Sequence, residues 1–248
     1  MSPMNKKLEP SHFKGKAVPF IFIIAILPML FSCTTYGLFI KKFIAHQTAQ
    51  IGESEQLIFA TNRDSSSSVV TIHAVERNNG VWQLVFPRFV GSIGEKGFAA
   101  TGDKREGDGK SPSGVFPLGI AFGYDPSVET KMPYRQATED DFWVDDVNSE
   151  DYNKWVKGIP NAASWEKMRR DDDQYKYGVV IEYNTEPIVK GKGSAIFLHA
   201  WKDGGPTLGC VSMPEEMVLK ILGWLDPAKK PLIIMGKESE LRAMKPRQ

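Results

Sequence analysis

The chain has 248 residues, 42% of them hydrophobic, so it can bury the core of one domain of ordinary size. Its 31 basic and 30 acidic residues give a net charge of +1, and no basic stretch is interleaved with aromatic residues, which argues against a nucleic-acid-binding protein. The cysteines and histidines do not have the spacing of zinc ligands, so the sequence predicts no metal site.

The first 44 residues are predicted to be a targeting segment. Lysines precede an apolar run over 17–40, which is long enough to cross a bilayer as a helix, and two more lysines follow it. The greater charge before the run predicts export of everything after it. Residues 30–33 also resemble a bacterial lipobox in which Cys33 would be lipidated. A lipoprotein signal and an uncleaved anchor both remain open, and a buried helix of a cytosolic protein is the weaker alternative.

The remainder is predicted to be mainly β, with a linker over 45–54, a domain over 55–236 and a C-terminal tail over 237–248. Apolar, β-branched or aromatic runs predict strands over 56–61, 69–75, 81–90, 177–183, 195–200 and 231–235. Asn79-Gly80 between the second and third runs is a strong hairpin signal. The aromatic and acidic stretch over 125–173 is predicted to be an insertion over the sheet, either a lid, which we favour, or a solvated loop.

One segment has a clear helical pattern. Ser212 and Glu215 match a capping box, Pro214 falls in the first turn, and apolar residues repeat at helical spacing up to Leu225. We therefore predict a helix over 212–225. The predicted fold class is mainly β, with mixed or antiparallel sheets and one principal helix.

Cys210 is the candidate nucleophile. If the segment holding Cys33 is a signal or an anchor, the exported domain has one thiol without an intramolecular partner, which is a liability in an oxidising compartment unless it is used. His199 lies eleven positions upstream, at the end of a predicted strand, and a Gly/Pro loop can fold the chain back. This pairing predicts a cysteine nucleophile with a histidine base, and the alternative is a buried structural cysteine.

The surroundings of Cys210 suggest how the thiol could be activated. The predicted helix begins two residues later, so its positive end is expected near the sulfur and is expected to lower the pKa of the thiol. Gly209 permits a close backbone approach, and amides beside Cys210 can form an oxyanion hole.

These residues resemble the catalytic signature of the L,D-transpeptidases, the YkuD-type domain. In that family a strand ending in His leads through a loop to Ser/Thr-x-Gly-Cys, which 196–199 and 207–210 match with the short loop of one branch. The block over 100–116 is similar to the Gly-Asp-Gly-Lys-Thr-Pro-x-Gly-x-Phe segment of the family, and 140–155 is similar to a further stretch. The resemblance covers about 55–236.

The resemblance implies an exported, membrane-attached enzyme that acts on peptidoglycan stem peptides and requires neither metal nor organic cofactor. Cys210 would attack the carbonyl of the diamino acid at position three of a stem tetrapeptide, D-alanine would leave, and an amine would resolve the thioester, with His199 as base and then acid. The expected cleft support is Thr207, Leu208 and Gly209. The possible substrate cleft is Trp201, Ser212, Tyr152 and Trp143.

Two rival functions remain open. Water in place of the amine would make the protein an L,D-carboxypeptidase or a crosslink-cleaving hydrolase, and a wall-binding module without catalysis could share the fold. The chain departs from many family members at Ala200, Leu208 and Ser212, which bears on substrate contacts more than on the thiol chemistry.

Two further features are predicted to be structural. Gly109-Lys110-Ser111 is similar to the end of a phosphate-binding loop, but Lys104 stands where that loop needs a glycine and Pro112 indicates a turn instead of a helix. We therefore expect a turn lining the cleft. His73, in a strand of β-branched residues, is expected to serve the core.

Overall fold

The computed structural model describes residues 29–64, 66–201 and 203–245. The chain divides into two compact units, 1–38 and 39–248, and all contacts reported below lie within the second. Most of the predicted targeting segment, 1–28, lies outside the described residues, and Cys33 falls within the first helix. Among the residues that the structure describes, no helix is both long and apolar enough to cross a membrane.

The described elements are mostly strands. The strands are β1 (Gln56–Asn62), β2 (Val69–Asn78), β3 (Val81–Leu84), β4 (Phe89–Ser92), β5 (Gly114–Gly123), β6 (Tyr134–Gln136), β7 (Asp141–Val144), β8 (Trp155–Lys157), β9 (Trp165–Lys167), β10 (Tyr177–Ile181), β11 (Phe197–Ala200), β12 (Val211–Met213) and β13 (Leu232–Lys237). The helices are α1 (Met29–His46), α2 (Thr48–Ile51), α3 (Glu215–Trp224), a 3-10 turn (Pro227–Lys229) and α4 (Glu238–Ala243).

The large sheet closes on itself. Its order is β1-β13-β5-β10-β11-β12-β4-β2-β3, and β1 also pairs with β2, so the first eight strands of that path form a ring. Most neighbours are antiparallel, whereas β1 with β13, β5 with β6 and β11 with β12 are parallel. The predicted β-rich class with mixed sheets is confirmed.

Alternation along the strands separates the core into layers. In β11, Leu198 and Ala200 pack with the apolar face of α3 in the largest cluster, whereas Phe197 faces a second cluster beneath the insertion. In β1, Ile58 belongs to the largest cluster and Phe59 to a third cluster with Phe39 and Phe43 of α1. His199, two residues after Phe197, lies on the same side of the strand as that residue.

The insertion folds as predicted over the sheet. Its strands form a separate antiparallel sheet of order β8-β7-β9. Trp143 of β7 packs edge-on against Phe197 of β11, with ring centroids 4.9 Å apart. The insertion therefore covers the face of β11 that carries His199.

The hairpin prediction is confirmed, and the strand over 81–90 needs a correction. Asn79 and Gly80 join β2 to β3 with φ of 51° and 78°, the left-handed values of a type I′ turn. The long predicted strand is two short ones, β3 and β4, separated at Pro87, which has no N–H to donate to a ladder.

The helix prediction over 212–225 is wrong at its start. Residues 211–213 form β12, whose Ser212 pairs with His199 of β11 and with Ser92 of β4, so α3 begins only at Glu215. Pro214 precedes the helix and no side chain caps it. The capping-box pattern was outweighed by pairing within the sheet.

The two ends of the predicted domain are also more structured than expected. Residues 45–54, read as a linker, contain the end of α1 and all of α2, and Ile51 is buried there. Gln47 donates a hydrogen bond to the Met244 carbonyl oxygen at 2.6 Å. The predicted tail over 237–248 contains α4, whose Leu241 packs with α1.

Candidate active site

Cys210 and His199 line one cavity of about 400 Å³. His199 belongs to β11, and Cys210 directly precedes the parallel strand β12, whose register places Val211 opposite Leu198. Both side chains are buried, at 7% and 2% exposure. The chain therefore brings the predicted nucleophile and the predicted base to the same cavity by strand pairing.

The thiol is held by backbone groups. Its Sγ–H donates to the Ala195 carbonyl oxygen at 3.2 Å, and Sγ accepts the Phe197 N–H at 3.3 Å. Ala195 has φ of 52°, a left-handed conformation that is uncommon for a residue with a Cβ. Strained backbone of this kind is concentrated at functional sites, and here it directs a carbonyl at the sulfur.

The expected lowering of the thiol pKa is wrong. Burial raises the pKa of Cys210 to about 12, and the negative charge of Glu166 adds to that effect. The helix dipole does not offset it, because β12 intervenes before α3. At neutral pH the resting residue is a protonated thiol.

His199 is oriented to accept a proton. Its Nδ1 lies 2.6 Å from the Ala200 carbonyl oxygen. A carbonyl can only accept, so Nδ1 carries the proton and Nε2 is the basic nitrogen. Burial lowers the pKa of His199 to about 4, and the charge of Arg170 adds to that effect, while the Ala200 carbonyl, the Gln174 backbone and Asp172 favour the imidazolium. Thiol and imidazole are thus both neutral at rest.

The residues before Cys210 form a tight, clamped turn. Thr207 Oγ1 accepts the Gly209 N–H at 3.1 Å and donates to the Cys210 carbonyl oxygen at 2.7 Å. A Cβ on Gly209 would lie 3.0 Å from Ile196 and 3.2 Å from the Lys110 carbonyl oxygen, so glycine permits the close approach. Thr207, Leu208 and Gly209 all line the cavity, and Leu208 is 75% exposed at its edge.

The block over 100–116 lines the cavity, as the predicted cleft turn requires, through Lys104, Glu106, Gly107 and Gly109. Ser111, fully buried, donates to the Gly209 carbonyl oxygen at 2.6 Å and accepts the Gly94 N–H at 2.9 Å. Lys104 and Asp108 are ion-paired at 2.7 Å within the block. Through Ser111 the block therefore supports the turn that precedes Cys210.

The predicted substrate cleft needs correction. None of Trp201, Ser212, Tyr152 and Trp143 is among the residues that line the cavity. Trp143 donates its indole N–H to Asn153 Oδ1 at 2.9 Å, and Tyr152 donates to Glu106 Oε2 at 2.5 Å, so both lie behind the wall. Ser212 is buried in β12.

The cavity wall instead contains charged residues that sequence reasoning missed. The charged side chains that line it are Glu95, Lys104, Glu106, Asp145, Glu166 and Arg170. Lys104 is paired with Asp108, and Arg170 makes a bidentate pair with Asp172 at 2.8 and 2.6 Å. Asp145, Glu166 and Arg170 come from the insertion, which therefore forms part of the cavity wall and which we call the lid. No spacing relative to Cys210 could have identified them.

Tyr175 is the other residue that sequence reasoning missed. It is buried at 5% exposure, lines the cavity, and packs its ring edge-on against His199 at 5.0 Å between centroids. Its hydroxyl donates to Glu166 Oε2 at 2.5 Å.

Within the described part of the chain, no group of three or more His, Cys, Asp or Glu residues could hold a metal ion.

The β-ring carries a cavity whose wall contains a histidine of β11 and a cysteine that directly precedes the parallel strand β12. Residues 66–234 match the family described as the L,D-transpeptidase catalytic domain, YkuD. The match covers more than half of the chain, so the chain belongs to this family. No curated protein matches the chain.

A comparison with solved structures matches the crystal structure of the helical cell shape determining protein Pgp2 from Campylobacter jejuni. The two chains are 12% identical, with a TM-score of 0.40. The match covers 85% of this chain and 56% of that chain, so this chain spans little more than half the length of Pgp2.

Proposed function

We propose that the protein is an L,D-transpeptidase of peptidoglycan, with Cys210 as nucleophile and His199 as general base. The observation that carries the proposal is that both side chains line one cavity, while the Nδ1 contact with Ala200 leaves Nε2 of His199 basic. The family of the chain supports the substrate class.

The first half-reaction forms a thioester. His199 Nε2 takes the proton of the Cys210 thiol, and the sulfur attacks the carbonyl carbon of the third residue of a stem tetrapeptide. The tetrahedral intermediate collapses with cleavage of the C–N bond to D-alanine, whose amine receives the proton from His199. The acyl group is then bound to sulfur.

The second half-reaction transfers the acyl group. An amine of another stem peptide attacks the thioester carbonyl and gives a proton to His199. The C–S bond breaks, and the departing thiolate takes that proton back. Because thiol and imidazole are both neutral at rest, the proton must leave the sulfur during attack on the substrate, which makes the base indispensable.

The experiment is incubation of the full-length protein with purified tetrapeptide muropeptides, with products identified by mass. A crosslinked dimer together with released D-alanine is expected. Release of D-alanine without a dimer would identify a carboxypeptidase, and cleavage of supplied dimers would identify a hydrolase. Cys210→Ala is the matched control, because it removes the sulfur at a buried position and should give no product.

Thioester formation can be observed separately with a carbapenem. A strained lactam that acylates the thiol should add its mass to the protein, and the adduct should map to Cys210. An absent adduct with every carbapenem tried, together with inert muropeptides, would favour a wall-binding module that retained the fold.

We propose in addition that the N-terminal segment attaches the protein to the membrane with the domain outside the cytoplasm. The lysine-flanked apolar run supports this location, and a wall substrate requires it. Cys33→Ser separates the two tethers. A lipoprotein would accumulate as unprocessed precursor without labelled palmitate, whereas an anchored protein would keep its mass and its membrane association. Wild-type protein in the cytosolic fraction would contradict both.

A further inference from the structure

A buried tyrosine and a carboxylate of the lid stand beside the thiol, and the acyl-transfer steps above use neither. The Tyr175 hydroxyl donates to Glu166 Oε2 at 2.5 Å. Its ring is edge-on to those of Phe197 and His199, with centroids 5.4 and 5.0 Å away. Tyr175 is thus fixed by the lid at its hydroxyl and by β11 at its ring.

Tyr175 lines the same cavity as the sulfur. It belongs to the same buried cluster as Cys210 and Phe197, and the Phe197 N–H already donates to Sγ. A hydrogen bond from the Tyr175 hydroxyl to the sulfur would favour the thiolate and lower the pKa of Cys210, whereas the charge of Glu166 raises it. The two lid-side neighbours therefore act on the nucleophile with opposite sign.

The tyrosine hydroxyl has a single proton to donate. When Glu166 is ionised, its oxygen accepts a short hydrogen bond from that proton, so the hydroxyl donates to the sulfur less often. When position 166 is neutral and can itself donate, the hydroxyl proton can turn towards the sulfur. Burial raises the pKa of Glu166, which brings its neutral form closer to physiological pH.

We propose that Tyr175 is a second hydrogen-bond donor to the reacting sulfur, and that Glu166 is a positioning residue which limits this donor by competing for its proton. The inference rests on the proposed role of Cys210 as nucleophile. No covalent bond to Tyr175 forms or breaks. As the thiol proton passes to His199, the Tyr175 O–H turns from the Glu166 oxygen to the thiolate.

Other charged groups also act on this cluster and must be considered in any pH dependence. Those that face Glu166, Tyr175, His199 or Cys210 are Arg170, Asp172, Asp145 and Glu106. Arg170 and Asp172 are paired with each other, and Glu106 accepts hydrogen bonds from Tyr152 and Ser194. None of these groups is a hydrogen-bond acceptor for the Tyr175 hydroxyl.

The experiment measures alkylation of Cys210 by iodoacetamide as a function of pH in the full-length protein, with the modified peptide identified by mass to separate it from Cys33. The midpoint of the pH profile reports the thiol pKa. A change in the accessibility of the thiol would change the alkylation rate by the same factor at every pH and leave the midpoint unchanged. For Glu166→Gln we expect a midpoint lower by about one pH unit, or about tenfold faster alkylation at neutral pH. Tyr175→Phe should move the midpoint upward.

The double variant isolates the link between the two residues. In the Tyr175→Phe background, Glu166→Gln should shift the midpoint distinctly less, because only the charge effect remains. An equal shift in both backgrounds would overturn the proposal. Glu95→Gln is the matched control, since it removes a cavity charge that does not contact Tyr175, and its midpoint should stay near that of the wild type.

The proposal can still be contradicted if Tyr175→Phe fails to fold, as judged by near-UV circular dichroism. Glu166→Gln alone then tests the inference, and an unchanged or higher midpoint overturns it. Iodoacetamide reports on the thiol without a peptidoglycan substrate. Failure here therefore leaves the transpeptidase proposal standing, whereas inert muropeptides with shifted midpoints would contradict only that proposal.

Discussion

Two histidines in two regions of the same β-ring are similarly buried and have similarly lowered pKa values. His73 in β2 is 5% exposed and His199 in β11 is 2% exposed, and burial lowers the pKa of each to about 4. His73 pairs with Phe59 of β1, and the nearby charge of Arg88 lowers its pKa further. His199 and Cys210 both line the same cavity.

Burial and a lowered pKa therefore do not distinguish the proposed base from a core histidine in this protein. The difference lies in what surrounds the ring. His199 has a carbonyl at Nδ1 that fixes its tautomer, and although the charge of Arg170 opposes protonation, the Ala200 carbonyl, the Gln174 backbone and Asp172 favour it. Groups that stabilise the charge to be gained are what a base needs and a core histidine does not.

The largest difference between the two regions should appear in turnover. His199→Ala removes the proton acceptor of a thiol whose pKa is about 12, so we expect muropeptide turnover to fall at least about 100-fold. His73→Ala should leave turnover per folded molecule unchanged and lower only the stability. The measurement is release of D-alanine normalised to folded protein. A loss of less than about tenfold, or ~1.4 kcal/mol of barrier, would identify another base.

The second prediction concerns stability against acid, where the two histidines should behave alike. Each has a folded pKa of about 4, below its unfolded value near 6.5, so the unfolded state binds more protons between these values. Stability is thus complete above about pH 6.5 and is lost as pH falls towards 4, at up to about 1.4 kcal/mol per pH unit for each histidine.

His73→Ala should therefore remove about half of the histidine contribution to this loss of stability between pH 6.5 and 5. Urea denaturation at several pH values measures it, with wild type and variant compared at the same pH, so that contributions from carboxylates cancel. Parallel curves for the two proteins would show that the pKa of His73 is the same in the folded and unfolded states.

Cys210 and His199 could be proposed as a pair from the sequence because the features that suggest them are local: a strand ending in His, a Gly/Pro loop and Gly-Cys. It could not show the environment of the thiol. Phe197, Tyr175 and Trp143 bury it from three separate segments, and the lid carboxylate Glu166 is more than 40 residues away in sequence.

The error at the helix start has the same origin. Ser212 and Glu215 satisfy a local capping rule, but the backbone of Ser212 pairs with His199, thirteen residues earlier, and long-range pairing prevailed. Asn79-Gly80 was reliable because a type I′ turn is decided by those two residues themselves.

The third prediction tests how far the His199 region depends on support from the block over 100–116. Ser111→Ala leaves the Gly94 N–H and the Gly209 carbonyl without their partner in a buried site, which should cost about 1–3 kcal/mol of stability. It should also slow carbapenem acylation of Cys210, because the turn before the sulfur loosens. Thermal denaturation and intact mass measure the two effects. Ser113→Ala, which removes a hydrogen bond to the Ala99 carbonyl, is the control and should affect stability alone.

The smallest effect is expected at the edge of the cavity. Leu208 is 75% exposed, a large apolar side chain at the opening that leads to His199 and Cys210. Exposed apolar surface at a cavity edge gains free energy when a ligand covers it, at roughly 25 cal/mol per Å². Leu208→Ser should therefore weaken substrate binding by about three- to tenfold, which corresponds to partial burial of one side chain.

Because the thiol, the imidazole and their hydrogen bonds are untouched, this loss should appear in KM with kcat unchanged. Val189→Ser, at an exposed valine outside the cavity lining, controls for loss of surface hydrophobicity and should change neither constant. A fall in kcat for Leu208→Ser would mean that the edge residue contributes to the transition state. The part of the turn over 206–210 that affects the reaction would then include Leu208, and not only the residues joined by the hydrogen bonds of Thr207.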